Sequence, residues 1–190
     1  MSSLIVFDFD FTLFRTDEKI WVWSPRGTSV FNNQKYSPIH PRDITNLAYD
    51  ETINENSFKE FFDIDIDKCK PIKPVIQHLL YYTEICKEDV IVLTARPQSC
   101  EHKIRQVLKN NGLKQNIDIV GLQQTPPEAK LKYIQDAVAK HNYNKIVIYE
   151  DNLDVLNILK QNLKNIDLEL NLVKNLNNKV SIEYSQQSKQ

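Results

Sequence analysis

Four short stretches of the chain, residues 4–9, 90–93, 117–120 and 145–149, are apolar without alternation and rich in β-branched side chains. That pattern suits strands covered on both faces. Around them the period changes to that of a helix. Residues 71–82 open with prolines and carry Val75, Ile76, Leu79 and Leu80. Residues 101–110 carry Ile104, Val107 and Leu108 and run into Asn110, Asn111 and Gly112, a helix C-terminal signal. From Thr125 the sequence T-P-P-E reads as a capping box with prolines in the first turn, followed by Leu131, Ile134 and Val138. Residues 153–163 supply a further helix, and 168–173 read as an edge strand. The alternation predicts an α/β fold: a Rossmann-like parallel sheet with helices on both faces and right-handed crossovers. The core is expected over 1–14 and 70–178, with 179–190 a polar, frayed tail.

Residues 15–69 break this rhythm. Within them K-I-W-V-W-S-P-R-G-T-S-V-F has two β-prone arms around Ser24-Pro25-Arg26-Gly27, which suits a type I turn. The expectation is a β-hairpin flap directly after strand 1, then a small cap insert up to residue 69. Trp21 and Trp23 alternate onto one strand face, as packing residues or as a base-stacking platform.

Composition narrows the functions available. At 190 residues the chain can bury one substantial core. A formal net charge of -1 and no basic block give no general attraction to nucleic acid, so no stable duplex binding is expected. Cys69, Cys86 and Cys100 are odd in number and lack metal-site spacing, and no early signal pattern or bilayer-length apolar run occurs. A soluble, cytoplasmic protein is expected, in the host cytoplasm if the chain is viral. With 3 glycines in all, Gly-rich phosphate loops are excluded.

Ligands of an open parallel sheet gather at the carboxyl ends of its strands. Strand 1 runs into Asp8-Phe9-Asp10-Phe11-Thr12, the next into Thr94-Ala95-Arg96, and the last into Glu150-Asp151, with Asp154 one helical turn on. At 100° per residue, Lys130 lies at the border of the face formed by Leu131, Ile134, Ala137 and Val138, with Lys132 nearly opposite, so Lys130 is the lysine that reaches inward. Crowded carboxylates repel one another, and a hard cation with oxygen ligands, Mg2+, would offset that. A lysine and a hydroxyl would then hold phosphate oxygens. Hydrolysis of a phosphate monoester needs rate gains up to roughly 10^21-fold, and one general acid or base supplies only about 10^2 to 10^4. Metal, positioning and a covalent carboxylate step are all expected. Each residue also has a plain role: solvated strand end for Asp8 and Asp10, turn-capping hydroxyl for Thr94, exposed lysine for Lys130, and helix-dipole charges for Glu150, Asp151 and above all Asp154.

In that order, V-F-D-F-D-F-T-L-F, V-I-V-L-T-A-R, the lysine of T-P-P-E-A-K-L-K-Y-I and I-V-I-Y-E-D-N-L-D resemble the haloacid dehalogenase superfamily of aspartate-nucleophile phosphohydrolases, over residues 6–154. The resemblance implies that Asp8 forms an aspartyl-phosphate. It implies that Asp10 protonates the leaving oxygen and then activates water, with its backbone carbonyl on the metal. Thr94 would bind the transferring phosphoryl group, Lys130 would neutralise it, and Asp8, Asp10, Asp151 and nearby Glu150 would hold Mg2+. Thr12 and Ala95 are candidate substrate contacts, and Arg96 either contacts substrate or sits in the loop before Pro97. Phe11 departs from the family, which most often has glycine there. The hairpin, the E-N-S-F-K-E-F stretch and the E-D motif are similar to phage-type hydrolases and RNA-repair phosphatases, so the expected substrate is a small phosphoester, among them nucleotides and phosphorylated nucleic-acid ends. A phosphotransferase or mutase would use the same residues, and a non-catalytic phosphate-binding scaffold would keep many of them. A receiver-type signalling module fits poorly, because the third strand runs into Gly121-Leu122-Gln123 without an aspartate.

Overall fold

A computed structural model of the chain describes residues 2–16, 20–25, 36–39, 52–53, 62–123, 126–176 and 179–189. In chain order its strands are β1 (Ser3–Phe7), β2 (Phe14–Arg15), β3 (Ile20–Trp23), β4 (Tyr36–Ile39), β5 (Thr52–Ile53), β6 (Lys70–Pro71), β7 (Asp89–Thr94), β8 (Asp118–Gly121), β9 (Lys145–Glu150), β10 (Asp167–Leu176) and β11 (Lys179–Gln187). The helices are α1 (Lys73–Leu80), α2 (Glu101–Asn110), α3 (Pro127–His141) and α4 (Leu153–Asn162). The chain divides into two units, Met1–Thr16 with Cys69–Gln190, and Asp17–Lys68.

The larger unit is α/β. Its six-stranded sheet has the order β11-β10-β9-β1-β7-β8. Every neighbouring pair is parallel except β10 with β11. From β1 the chain lays down β7 and β8 on one side, then β9 and β10 on the other. The direction of winding therefore reverses between β1 and β9, the position at which open parallel sheets take ligands beyond the carboxyl ends of their strands.

Strand alternation assigns the two faces. Leu4, Val6, Ile146, Ile148, Leu168 and Leu170 join Ile134 of α3 and Val155, Leu156 and Leu159 of α4 in one buried cluster. Phe7 and Tyr149 belong to the alternate positions, stack at 4.6 Å, and meet α1, whose His78 Nδ1 lies 2.6 Å from the Tyr149 hydroxyl. α2 ends as its sequence predicts, with Asn111 as C-cap and Gly112 at φ +103°. α1 is shorter than expected and runs on as a π-helical turn, Tyr81–Cys86, where the Thr83 hydroxyl donates to Leu79 O at 2.9 Å. Thr125, the expected cap of α3, lies outside the described residues; Pro126 takes the N-cap position with no side-chain hydrogen bond.

Two expectations at the C-terminal end are corrected. β10 is longer than the expected edge strand and lies inside the sheet. Residues 179–187, expected to fray, form β11, in unbroken register with β10 from Leu176↔Lys179 to Leu168↔Gln187. Polarity misled because one partner strand satisfies the backbone of β11 while its side chains stay largely in water.

In the smaller unit, β3 pairs antiparallel with both β4 and β5. The turn and second arm of the expected hairpin, from residue 26 on, lie outside the described residues. Val22 is buried, and Trp21 is 41% exposed.

Truncation after residue 178 tests the C-terminal correction. Loss of the β10–β11 ladder is expected to lower the melting temperature by more than about 5 °C, since each kcal/mol is worth about 2–4 °C at this size. A frayed tail would leave the melt unchanged.

Candidate active site

β1 stops at Phe7 because the chain then turns out of the sheet. The Asp8 N–H still donates to Tyr149 O at 3.0 Å, and Phe9 O accepts from the N–H groups of both Leu13 (3.1 Å) and Phe14 (3.0 Å). Phe11, inside this turn, has φ +59°. A side chain in that left-handed region costs about 1–2 kcal/mol, which is why glycine would be at ease there. Its N–H is held by Phe14 O at 2.7 Å. Asp8, Asp10 and Thr12 therefore project from a tight turn at the carboxyl end of the sheet.

Two charged groups meet them from other elements. Lys130, in the first turns of α3, donates to Asp8 Oδ1 at 2.7 Å and to Glu150 Oε2 at 2.6 Å. All three residues are buried. Lys132 is exposed, as the helical geometry predicts. Glu150 is further fixed by the Asn152 N–H, which donates to Oε1 at 3.2 Å. The other oxygen of the Asp8 carboxylate, Oδ2, is buried with no hydrogen-bond partner among the described residues, and so is Thr12 Oγ1. Orphaned buried oxygens cost about 1–3 kcal/mol each and mark where a ligand would be welcome.

Burial pushes the Asp8 carboxyl up to about 7, opposed by Lys130 and reinforced by the charges of Glu150 and Asp10. Burial also works against the charge of Lys130, but Asp8 and Glu150 outweigh it and hold the ammonium protonated far above its usual range. Oxygens of Asp8, Glu150 and Asp151 all lie within 4.8 Å of one another. Two of these carboxylates, Asp8 and Glu150, share the Lys130 ammonium. An all-oxygen donor set fits a hard divalent ion.

Asp10 stands apart from that cluster. The Arg96 guanidinium grips its carboxylate, with Nη2 donating to Oδ1 at 2.7 Å and Nε to Oδ2 at 2.9 Å. The Thr16 hydroxyl adds a bond to Oδ1 at 2.7 Å. Arg96 is fully buried, with its Cζ 5.9 Å from the centre of the Phe9 ring. Expected as a substrate contact, Arg96 thus directs its guanidinium to Asp10. Thr94 is buried at the end of β7, and its Oγ1 accepts the Arg96 N–H at 3.2 Å, leaving the hydroxyl proton able to donate elsewhere. Ala95 is half-buried between them. Asp154 is exposed in the first turn of α4, and its N–H donates to the Asn152 Oδ1 that caps this helix, at 2.9 Å. Thr16 was missed by sequence reasoning; nothing in its spacing distinguishes it, and only the turn at residues 9–14 brings it back to Asp10.

Comparison of the chain with protein-family models, with curated proteins and with solved structures finds no match. Among the described residues no helix is long and apolar enough to cross a membrane.

Lys130→Met is expected to destabilise the fold by about 3–5 kcal/mol in urea titrations at pH 7.5, because two buried carboxylates lose their counter-charge. A loss below about 1 kcal/mol would mean that the lysine is not buried between them. The raised Asp8 pKa has a definite sign. The folded state keeps a proton that the unfolded chain sheds near pH 4, so stability in EDTA falls as pH climbs from about 4 to about 7. A divalent cation must displace that proton. Its apparent Kd by calorimetry is expected to tighten about tenfold per pH unit up to about 7 and then level off.

Proposed function

We propose that this chain is a Mg2+-dependent phosphomonoester hydrolase of the haloacid dehalogenase type, acting through an aspartyl-phosphate on Asp8, with nucleotides or phosphorylated nucleic-acid ends as the substrate class. The observation that carries this reading is Lys130 bridging Asp8 and Glu150 while Asp8 Oδ2 stays buried and, among the described residues, unpartnered. A carboxylate engaged through one oxygen, with the other presented, suits a nucleophile better than a structural salt bridge. The reversal of strand order between β1 and β9 supports a doubly wound architecture of Rossmann type and the placement of the site at its crevice. Residues 17–68 would supply the flap and cap.

Asp8, Glu150 and Asp151 would hold Mg2+, which supplies charge neutralisation to the phosphoryl group when bound. The chain's own residues would do the rest. Asp8 Oδ2 attacks phosphorus while the bond to the leaving oxygen breaks, and that oxygen takes the proton of Asp10. Water then attacks the phosphorus of the aspartyl-phosphate and gives a proton to the Asp10 carboxylate. The bond between phosphorus and Asp8 breaks, phosphate leaves, and both aspartates return to their starting states. Lys130 offsets charge beside Asp8 throughout, and the hydroxyls of Thr94 and Thr12 are the neutral donors available to phosphoryl oxygens.

The test is phosphate release with Mg2+ or EDTA from p-nitrophenyl phosphate, nucleoside 3'- and 5'-monophosphates, sugar phosphates, and oligonucleotides ending in 3'- or 5'-phosphate. Metal-dependent release is expected, falling at least about 10^4-fold in Asp8→Asn, because the covalent step is lost. Release that survives Asp8→Asn would sink the mechanism. No release from any ester would leave the chain a binding protein.

A further inference from the structure

Asp10 offers its two oxygens unequally. Oδ1 accepts from Arg96 Nη2 (2.7 Å), from Arg96 Nε (3.2 Å) and from the Thr16 hydroxyl (2.7 Å). Oδ2 accepts, among the described residues, only from Arg96 Nε (2.9 Å). Oδ1 is therefore saturated and locked, and Oδ2 is the oxygen with lone-pair capacity to spare. The lock depends on where Arg96 stands, and that is set from β8. Gly121 is pressed against the loop that carries Arg96. A Cβ built on it would lie 2.5 Å from Pro97 C, 2.5 Å from Gln98 N and 2.7 Å from Arg96 O, all backbone atoms that cannot swing aside. Four hydrogen bonds fasten the same contact: Gly121 N–H to Gln98 Oε1 (2.7 Å), Gln98 Nε2 to Ile119 O (2.9 Å), Leu122 N–H to Thr94 O (2.9 Å) and Gln123 N–H to Arg96 O (3.2 Å). In a chain with 3 glycines, this one sits where no other residue fits.

We propose that Arg96 is a positioning residue that holds Asp10 for proton transfer at Oδ2, and that Gly121 sets Arg96 in place by letting its loop close onto β8. This rests on the phosphohydrolase reading. The proton leaves Oδ2 for the leaving oxygen as the ester bond breaks, and it returns to Oδ2 from the attacking water as the aspartyl-phosphate is cleaved. Loosening the lock should cost most where the leaving group needs a proton most, and it should leave phosphate binding alone.

The experiment measures kcat/KM for ethyl phosphate, which expels an alkoxide, and p-nitrophenyl phosphate, which expels a stabilised phenolate, with Mg2+, in the wild type and in Arg96→Lys, Gly121→Ala and Thr16→Val. Inhibition by inorganic phosphate and melting curves are recorded for each. Arg96→Lys and Gly121→Ala are expected to lose about 10- to 100-fold on ethyl phosphate, the scale of a misplaced general acid. On p-nitrophenyl phosphate the loss should stay under about threefold, with phosphate inhibition unchanged. Thr16→Val, which leaves the loop untouched, should shift the ratio the same way by less, and it keeps the test open if Gly121→Ala does not fold. Equal losses on both esters overturn the proposal: with weakened phosphate inhibition they make Arg96 a substrate contact, and with a lowered melt alone a structural one. A normal ratio in folded Gly121→Ala overturns the part assigned to Gly121. Failure of the wild type to hydrolyse these two esters and every ester of the panel above overturns the phosphohydrolase reading itself, and this proposal with it.

Discussion

Lys130 stands where two carboxylates would otherwise share a dry pocket with nothing to balance them. One buried carboxylate is costly, and a second close by raises the cost of ionising either. The ammonium between Asp8 and Glu150 makes the pair tolerable. Among the described residues, Oδ2 of Asp8 and Oγ1 of Thr12 are left without hydrogen-bond partners. Buried oxygens of this kind are the places where a polar ligand would be accommodated at least cost.

The sheet explains why these groups meet. β1 lies between β7 and β9, so its carboxyl end is flanked by Thr94-Ala95-Arg96 on one side and Glu150-Asp151 on the other. Lys130 comes from the helix that enters β9, and its partners are separated from it by 122 and 20 residues. The cluster therefore exists only when the parallel register does. The second ion pair, Arg96 with Asp10, uses the same topology for a different end. It spans 86 residues and closes on the partly exposed side of the turn. Lys130 answers to the charge of the pocket, whereas Arg96 answers to the orientation of one carboxylate. A planar fork can impose orientation in a way that an ammonium cannot.

Phe11 shows that this turn accepts local strain. A bulky residue at φ +59° is out of place by its own preferences, and the hydrogen bonds of the turn over-determine it. The result is a short loop that aims Asp8, Asp10 and Thr12 at once.

Much of this was legible in the chain. The unbroken β-branched runs named the parallel strands, and the helical periodicity named the helices between them. Polar residues at strand ends picked out Asp8, Asp10, Thr94, Glu150 and Asp151, and helical geometry picked out Lys130, because side-chain period and strand direction are local properties. Boundaries were less legible. β1 ends two residues before its apolar run does, and β11 forms from a stretch whose composition promised none. In both cases the deciding contact is a backbone pairing that composition does not record: the turn that closes on Phe9, and the ladder with β10. The sequence by itself determined which residues carry charge to the crevice. Only the tertiary structure decided that Lys130 pairs with Asp8 and Glu150, that Arg96 and Thr16 hold Asp10, and that Gly121 makes room for them, because pairing between groups far apart in the chain is set by packing.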